Sequence, residues 1–539
     1  VTALSTRPFH FVSLTMRLQS ILLVLIFDVA ASLKFLCYSP RLGYSHVNFL
    51  GKLSDSLIDA GHEVVIISSF FNSNVKGAGS TRARVIDIPE TEITGAFERE
   101  LPTDGLDTWD SGETWQAVIN WVEKYEHMVA DCNATINHPG LIEQLRKEKF
   151  DAAFGESNCF CIGALLHLAG IEKFAITESI SYKDGLYGLH QVPTMASYVP
   201  SIMGGSFGED MTFFQRAYNL FNTHVYIWFN YYPMEEYRKM FESNYPGFPD
   251  IQELMALNSL YFLNSDPLID FPRPSAARVI DIGGIAVSNG FNKLEKKWSD
   301  ILDLRPQTVY MSFGTFAQAH AMPEAYKETI RRTAQAFPDV TFIWKYENPE
   351  HNVTQGIPNL LESTWVPQND LLRDPRLSLF VTHCGAGSTT EANYAGVPLV
   401  IVPVIFDQIY NAYQLKRHGL GIILDKSDLG RQTIFEQAIR EVLRDPEYKR
   451  RAVTTATMLN DKPFTARELF VRNMEFLAKH GPLRQLDHYG RKLNFFQYYL
   501  IDVFAFVALT VISILSVLVF VIVRSWRWIK SISMKSKTE

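Results

Sequence analysis

Apolar residues along this chain alternate between short unbroken runs and runs spaced three to four apart, the signature of strands followed by helices. Lys34 to Tyr38 is a short apolar strand. Phe49, Leu50, Leu53, Leu57 and Ile58 then recur at helical spacing, Gly61 stops the helix, and Val64 to Ser68 is the next strand. Such βαβ units build a parallel sheet with helices on both faces. KFDAAF at 149–154 predicts a further strand, followed by a helix running to Leu168 and Gly170. Residues 180–245 break the rhythm with aromatics, Gly and Met. They predict core helices of the first domain, and a long aromatic insertion also suits the wall of an apolar pocket or a membrane surface.

The alternation restarts after the polar stretch Ser288 to Asp300. TVYMSF, TFIWKY, LSLFVT, LVIVPV and GIILD read as buried strands, and Pro323 to Ala336 as a helix between them. The pattern predicts two α/β domains, 33–290 and 300–460, with a linker near residues 286–305. A last helical segment at 462–480 falls in a membrane-proximal stretch, 461–502.

The two ends read differently. From Met16 the chain runs MRLQSILLVLIFDVAAS, with one Arg, an apolar core too short to span a bilayer, then small residues. This predicts a secretory signal over 16–32, with 1–15 as an upstream extension outside the fold. Residues 503–523 carry no charge, enough for a helix to cross ~30 Å of hydrocarbon. Arg524, Arg527, Lys530, Lys535 and Lys537 follow, with Trp526 and Trp528 at interface level. Positive charge stays in the cytosol, so 524–539 is predicted as a cytosolic tail and the body as lumenal, a single-pass type I arrangement. Lys535 and Lys537 resemble a dilysine retrieval signal, which points to the endoplasmic reticulum membrane.

Composition narrows the partners. A net charge of −7 gives general nucleic-acid binding no electrostatic support. Five cysteines (Cys37, Cys132, Cys159, Cys161, Cys384) leave at least one thiol free, and none forms a C-x-x-C pair. Asn133-Ala-Thr and Asn352-Val-Thr are glycosylation sequons in a lumenal body.

In open α/β sheets ligands sit beyond the carboxyl ends of the strands. LSLFVT ends at His383, and Cys384, Gly385, Ala386, Gly387 and Ser388 then open a helix. Glycines let backbone N–H groups approach a ligand, and a helix N-terminus favours anions. Ser388, Thr389 and His383 add donors for phosphate oxygens, while Glu391 one turn on suits a ribose diol. Upstream stands WVPQNDLL at 365–372, and downstream FDQIYNA at 406–412.

Together these stretches closely resemble the nucleotide-sugar signature of the UDP-glycosyltransferase family, the membrane-bound UDP-glucuronosyltransferases included. The resemblance is carried by Trp365, Pro367, Gln368, His383, Gly385, Ser388, Glu391, Gly396, Pro398, Asp407 and Gln408. VYMSFGT at 309–315 resembles the first strand and phosphate loop of the same domain, and the similarity covers roughly residues 33–530. It implies a GT-B fold of two facing Rossmann-like domains plus one C-terminal transmembrane helix. Trp365 would stack on uracil, Gln368 would hold base or ribose, and Glu391 would take the ribose hydroxyls. Ser312, Thr315, His383 and Ser388 would hold the diphosphate beside Gly385, with Asp407 and Gln408 on the sugar. Gly387 stands where many members have Asn. The resemblance also makes His46, in SPRLGYSH after the first strand, the catalytic base. Glu156 takes the place where the family commonly has Asp to orient that histidine.

The implied activity is transfer of a glucuronosyl group from UDP-glucuronate to the hydroxyl of a small lipophilic acceptor, by inverting displacement. The UDP-sugar is the co-substrate, no further cofactor is expected, and without a D-x-D motif no catalytic metal is expected. Glucosyl transfer from UDP-glucose, a nucleotide-sugar epimerase and a non-catalytic lumenal binder are the alternatives, and homo-oligomerisation stays open.

Overall fold

The structure, a computed structural model, describes residues 32–535 apart from 74, 96–108, 110–113, 182–183, 186–191, 193, 203, 288–293 and 316, without side chains at 114–124, 230 and 535. The extension 1–15, the signal segment up to residue 31 and tail residues 536–539, Lys537 among them, lie outside the described residues. The chain divides into two units, one ending at Leu483 and one beginning at Arg484.

The first unit holds two parallel sheets. In sequence order the first contains β1 (Lys34–Tyr38), β2 (Glu63–Ser69), β3 (Arg84–Ile88), β4 (Ala152–Glu156), β5 (Phe174–Glu178), β6 (Leu260–Leu263) and β7 (Val279–Asp281). They lie side by side as β3-β2-β1-β4-β5-β6-β7. The second contains β8 (Gln307–Ser312), β9 (Val340–Lys345), β10 (Leu360–Ser363), β11 (Leu377–Thr382), β12 (Leu399–Ile401) and β13 (Gly421–Ile423), in the order β10-β9-β8-β11-β12-β13. In both, the direction of chain progression reverses beside the first strand, between β1 and β4 and between β8 and β11. Those switch points open a crevice at the strands' carboxyl ends.

Local sequence explains where elements begin and end. The strand expected at 149–154 starts at Ala152, because Lys149 takes a left-handed φ of 51° that ends the helix Leu141–Glu148. Asp151 then accepts from the Lys34 backbone N–H at 2.7 Å, tying β4 to β1. LVIVPV yields only the three-residue strand Leu399–Ile401, since Pro403 has no N–H to pair. The helix expected at 462–480 begins at Ala466, where Thr465 and Glu468 form a reciprocal cap.

The helix Tyr44–Asp59 buries Val47, Leu50, Leu53 and Leu57 on the sheet. Its Gly51 is not a helix-forming choice, and close packing explains it. A Cβ there would lie 2.2 Å from the Gly79 carbonyl, so glycine lets a backbone loop cross the helix. The aromatic insertion contains a long helix, Phe213–Asn244, capped by Thr212. It buries Asn219, Phe229, Met234, Tyr237 and Phe241 in the first lobe and exposes Phe214, Phe221 and Trp228.

The chain crosses back before it leaves this unit. The helix Ala466–His480 packs on the first sheet, with Phe470 edge-on to Phe154 and Phe262 at 5.6 and 5.0 Å. Glu475 meets His62 at 3.0 Å, and Lys173 donates to the Ala478 carbonyl. The second unit contains the helix Ile501–Lys535, which is long and apolar enough to cross a membrane and includes the whole 503–523 stretch.

Cys132 and Cys161 form a disulfide, while Cys37, Cys159 and Cys384 are buried free thiols. The two sequons sit differently. Asn352 is exposed in a turn at φ 49°, whereas Asn133 lies in the helix Thr114–Ile136 with Thr135 fully buried.

Candidate active site

His46 enters the crevice because its helix starts just after β1, and Glu156 because it is the last residue of β4. The two strands are neighbours, so the side chains meet: His46 Nδ1 lies 2.8 Å from Glu156 Oε2. Ser179, the first residue beyond β5, places its Oγ 2.8 Å from the same nitrogen and donates its backbone N–H to Glu156 Oε1 at 2.9 Å. Burial alone would depress the imidazole's pKa, but the carboxylates of Glu156, Glu178 and Asp407 outweigh it and hold it above the ordinary value. Glu156 moves the other way: burial works to raise it, and His46 and Ser179 hold it below the usual carboxylate range. Glu156 is only 5% exposed, so its one-methylene-longer side chain is folded against the ring rather than extended into solvent.

The second lobe supplies the facing wall. Cys384, at φ 67°, turns the chain from β11 into the helix Ala386–Ala395, which has no cap from its N-cap Gly385 and whose first N–H, of Ala386, bonds the Asp407 carboxylate. His383 is clamped between two glycines. A Cβ on either Gly314 or Gly385 would stand 2.6 Å from its Nε2. Burial pushes the ring down to about 4, so it is a neutral donor at pH 7 rather than a cation. Ser312, the last residue of β8, is buried, and Thr315 is exposed in the loop that follows.

Gln368 organises the next layer. Its Nε2 donates to Glu391 Oε2 at 2.6 Å and to Ser388 Oγ at 3.1 Å, and its Oε1 accepts from Tyr310 OH at 3.0 Å. Asn369 donates to Glu391 Oε1 at 2.8 Å. Burial pushes Glu391 up to about 7, against the pull of Gln368 and Arg373. Trp365 is 59% exposed, a ring face open for stacking, and Tyr44 of the first lobe approaches it edge-on at 6.0 Å. Burial and the Glu391 charge both raise the Tyr44 phenol.

Asp407 follows Phe406, itself at φ 57°, and accepts from Asn411 Nδ2 at 2.7 Å. Burial pushes Asp407 up to about 6, and the His46 charge acts against that rise from across the crevice. Gln408 is committed differently, with its Oε1 accepting the Val404 and Ile405 N–H groups at 2.8 and 3.0 Å. Only its amide nitrogen remains for a ligand. A Cβ at Gly387 meets open space, so the site has room at this position.

The structure therefore brings His46 and Glu156 into one cluster facing Asp407, and Gln368, Ser388 and Glu391 into a second. Sequence reasoning missed Ser179, Glu178, Tyr44, Tyr310 and Asn369. The available signals were a Glu-Ser pair repeated at 156–157 and 178–179 and a tyrosine two residues before His46.

Two parallel α/β sheets with polar groups at both switch points make a GT-B fold. A solved UDP-glucosyltransferase from Polygonum tinctorium, capable of glucosylating indoxyl, superposes with a TM-score of 0.55 at 14% identity, over 84% of this chain and all of that one. The family described as UDP-glucoronosyl and UDP-glucosyl transferase matches residues 37–538, and the chain belongs to it. The Caenorhabditis elegans protein ugt-48, which carries a UDP-glucuronosyltransferase name, is 30% identical over 94% of this chain and 97% of its own length. UDP-glucosyltransferase 2 of Dactylopius coccus is 26% identical over 91% and 93%. The chain is thus a UDP-glycosyltransferase, an enzyme that transfers a hexosyl group from a UDP-sugar.

Proposed function

We propose that the enzyme transfers a glucuronosyl group from UDP-glucuronate to the hydroxyl of a small lipophilic acceptor by direct, inverting displacement. The observation that carries this reading is the His46–Glu156 contact opening toward Asp407. With Nδ1–H held by Glu156, His46 Nε2 is the base that removes the acceptor proton. The acceptor oxygen attacks the anomeric carbon as its bond to the β-phosphate oxygen breaks, and UDP leaves with that electron pair. Neutral His383, Ser388 and the amides of the helix Ala386–Ala395 meet the leaving charge with fixed dipoles. Trp365 stacks on the base, Gln368 and Glu391 hold the ribose, Ser312 and Thr315 border the diphosphate, and Asp407 with the Gln408 amide takes sugar hydroxyls. The apolar helix anchors a lumenal body in the endoplasmic reticulum membrane.

Glucuronate rests on the anchored architecture and on the relatives' names. One observation favours glucose as a second reading. The charges acting on His46 are the carboxylates of Glu156, Glu178 and Asp407, a field that favours a neutral sugar over a second anion. Acceptor-dependent UDP release should be measured with UDP-glucuronate, UDP-glucose and a generic phenol. The expected result is release with UDP-glucuronate well above that with UDP-glucose. The reverse order assigns the glucosyl reading, and release with neither removes the proposal.

A further inference from the structure

Strands β4 and β5 are parallel neighbours in register, with Gly155 opposite Ile176 and Glu156 opposite Thr177. Both leave the sheet through the same dipeptide, Glu156-Ser157 and Glu178-Ser179. The pairs are cross-connected. Ser179 gives its backbone N–H to Glu156, while the Ser157 hydroxyl donates to Glu178 Oε1, which also accepts from Tyr261 OH at 3.0 Å. All four residues are buried, Glu178 and Ser157 completely. Ser179 is itself fixed from the next strand, because Asn264 donates its side-chain amide to the Ser179 carbonyl at 2.8 Å and its N–H to the Glu178 carbonyl at 3.0 Å.

An isolated glutamate at the end of β4 has one more rotatable bond than an aspartate and would not hold a ring in one orientation. Here the extra reach is taken up: Oε1 is pinned by the Ser179 N–H, which leaves Oε2 on His46 Nδ1. The Ser179 hydroxyl closes the triangle at 2.8 Å from the same ring nitrogen. We propose that the Ser179 hydroxyl is a positioning group for the transfer reaction, holding the His46 ring against the Glu156 carboxylate so that Nε2 faces the acceptor hydroxyl. This rests on the reading of His46 as the base.

The proposal has a signature that a purely structural serine lacks. Glu156 on β4, Glu178 beyond it on β5 and Asp407 from the second lobe face His46, and each stabilises its charged form against the desolvation that burial imposes. The Ser179 backbone N–H pins Glu156 Oε1 whatever the side chain, and the hydroxyl, bonded to the same carboxylate, adds an oxygen beside the Nδ1 proton that Glu156 accepts. Removing the hydroxyl leaves the imidazolium less stabilised, so the histidine's pKa falls. A base must be neutral to act, so the acid limb of the pH–rate profile then moves to lower pH while the plateau drops.

The test uses the full chain in membranes, with acceptor-dependent UDP release recorded between pH 5 and 9 for Ser179→Ala and for the nearly size-matched Ser179→Cys. UDP affinity reports whether the second lobe is intact. Expected for both variants are unchanged UDP affinity, kcat lower by about tenfold, part of the 100-fold or more a base contributes, and an acid limb displaced downward. A wild-type limb in both variants, with or without a loss of rate, overturns the proposal. His46→Ala run alongside separates the two failures: if it stays active the base assignment falls, whereas an inactive His46→Ala beside an unaltered Ser179→Ala sinks only the role of Ser179.

Discussion

Replacing His46 with alanine is expected to lower kcat by at least ~100-fold while UDP binding survives. A hydroxyl is a weak nucleophile until its proton is taken, and the structure places His46 with a buried carboxylate 2.8 Å from one ring nitrogen, the arrangement that fixes a tautomer. The nucleotide residues are carried by the second lobe, which the substitution leaves intact. The wild-type profile should show its own mark. The carboxylates around the ring hold the imidazole above its usual value, so kcat/KM should rise with pH through a midpoint above ~6.5. A His46→Ala enzyme with near-normal turnover, or an acid limb well below that value, places the base elsewhere.

The second large effect is expected at Glu391. Its half-buried carboxylate is held by Gln368 and Asn369 at 2.6 and 2.8 Å. A ribose diol donating to it forms hydrogen bonds to a charged acceptor, and Glu391→Ala also strands the Gln368 and Asn369 amides. UDP affinity should fall by ~1.5–3 kcal/mol, roughly 10- to 150-fold. Because burial pushes Glu391 up to about 7, the carboxylate ionises only near and above that pH. Wild-type UDP affinity should therefore weaken as pH falls through 7, and the alanine variant should lose that dependence. Calorimetric titration of UDP at pH 6 and pH 8 reads both effects, and equal affinities in wild type and variant remove Glu391 from the site.

Much of this was legible in the chain because the chemistry lies where strands end. The runs LSLFVT and TVYMSF mark β11 and β8, and the polar residues that follow them are the ones that meet at the second switch point. His46 and Glu156 could be placed in one crevice by the same logic. Ser179 could not. It follows FAITE, a five-residue strand with no turn signal of its own, and its importance depends on which strand lies beside β4. β3 was missed for a different reason: RVIDI is short and charged at two of its five positions, and only Ile88 of its apolar residues is buried. The return of the helix Ala466–His480 to the first sheet is a long-range pairing of Phe470 with Phe154 and Phe262, which no local pattern encodes. Nor did the D-Q pair reveal that Gln408 spends its carbonyl oxygen on two backbone N–H groups of its own loop.

The proposed reaction is a single inverting displacement of UDP by an acceptor oxygen, with no glycosyl-enzyme intermediate. The most direct measurement is the anomeric configuration of the product formed from an α-linked UDP-hexose and a simple phenol, read by proton NMR together with the UDP released. A β-glycoside and one UDP per glycoside formed are expected. An α-glycoside, or UDP release that does not depend on the phenol, contradicts that reaction.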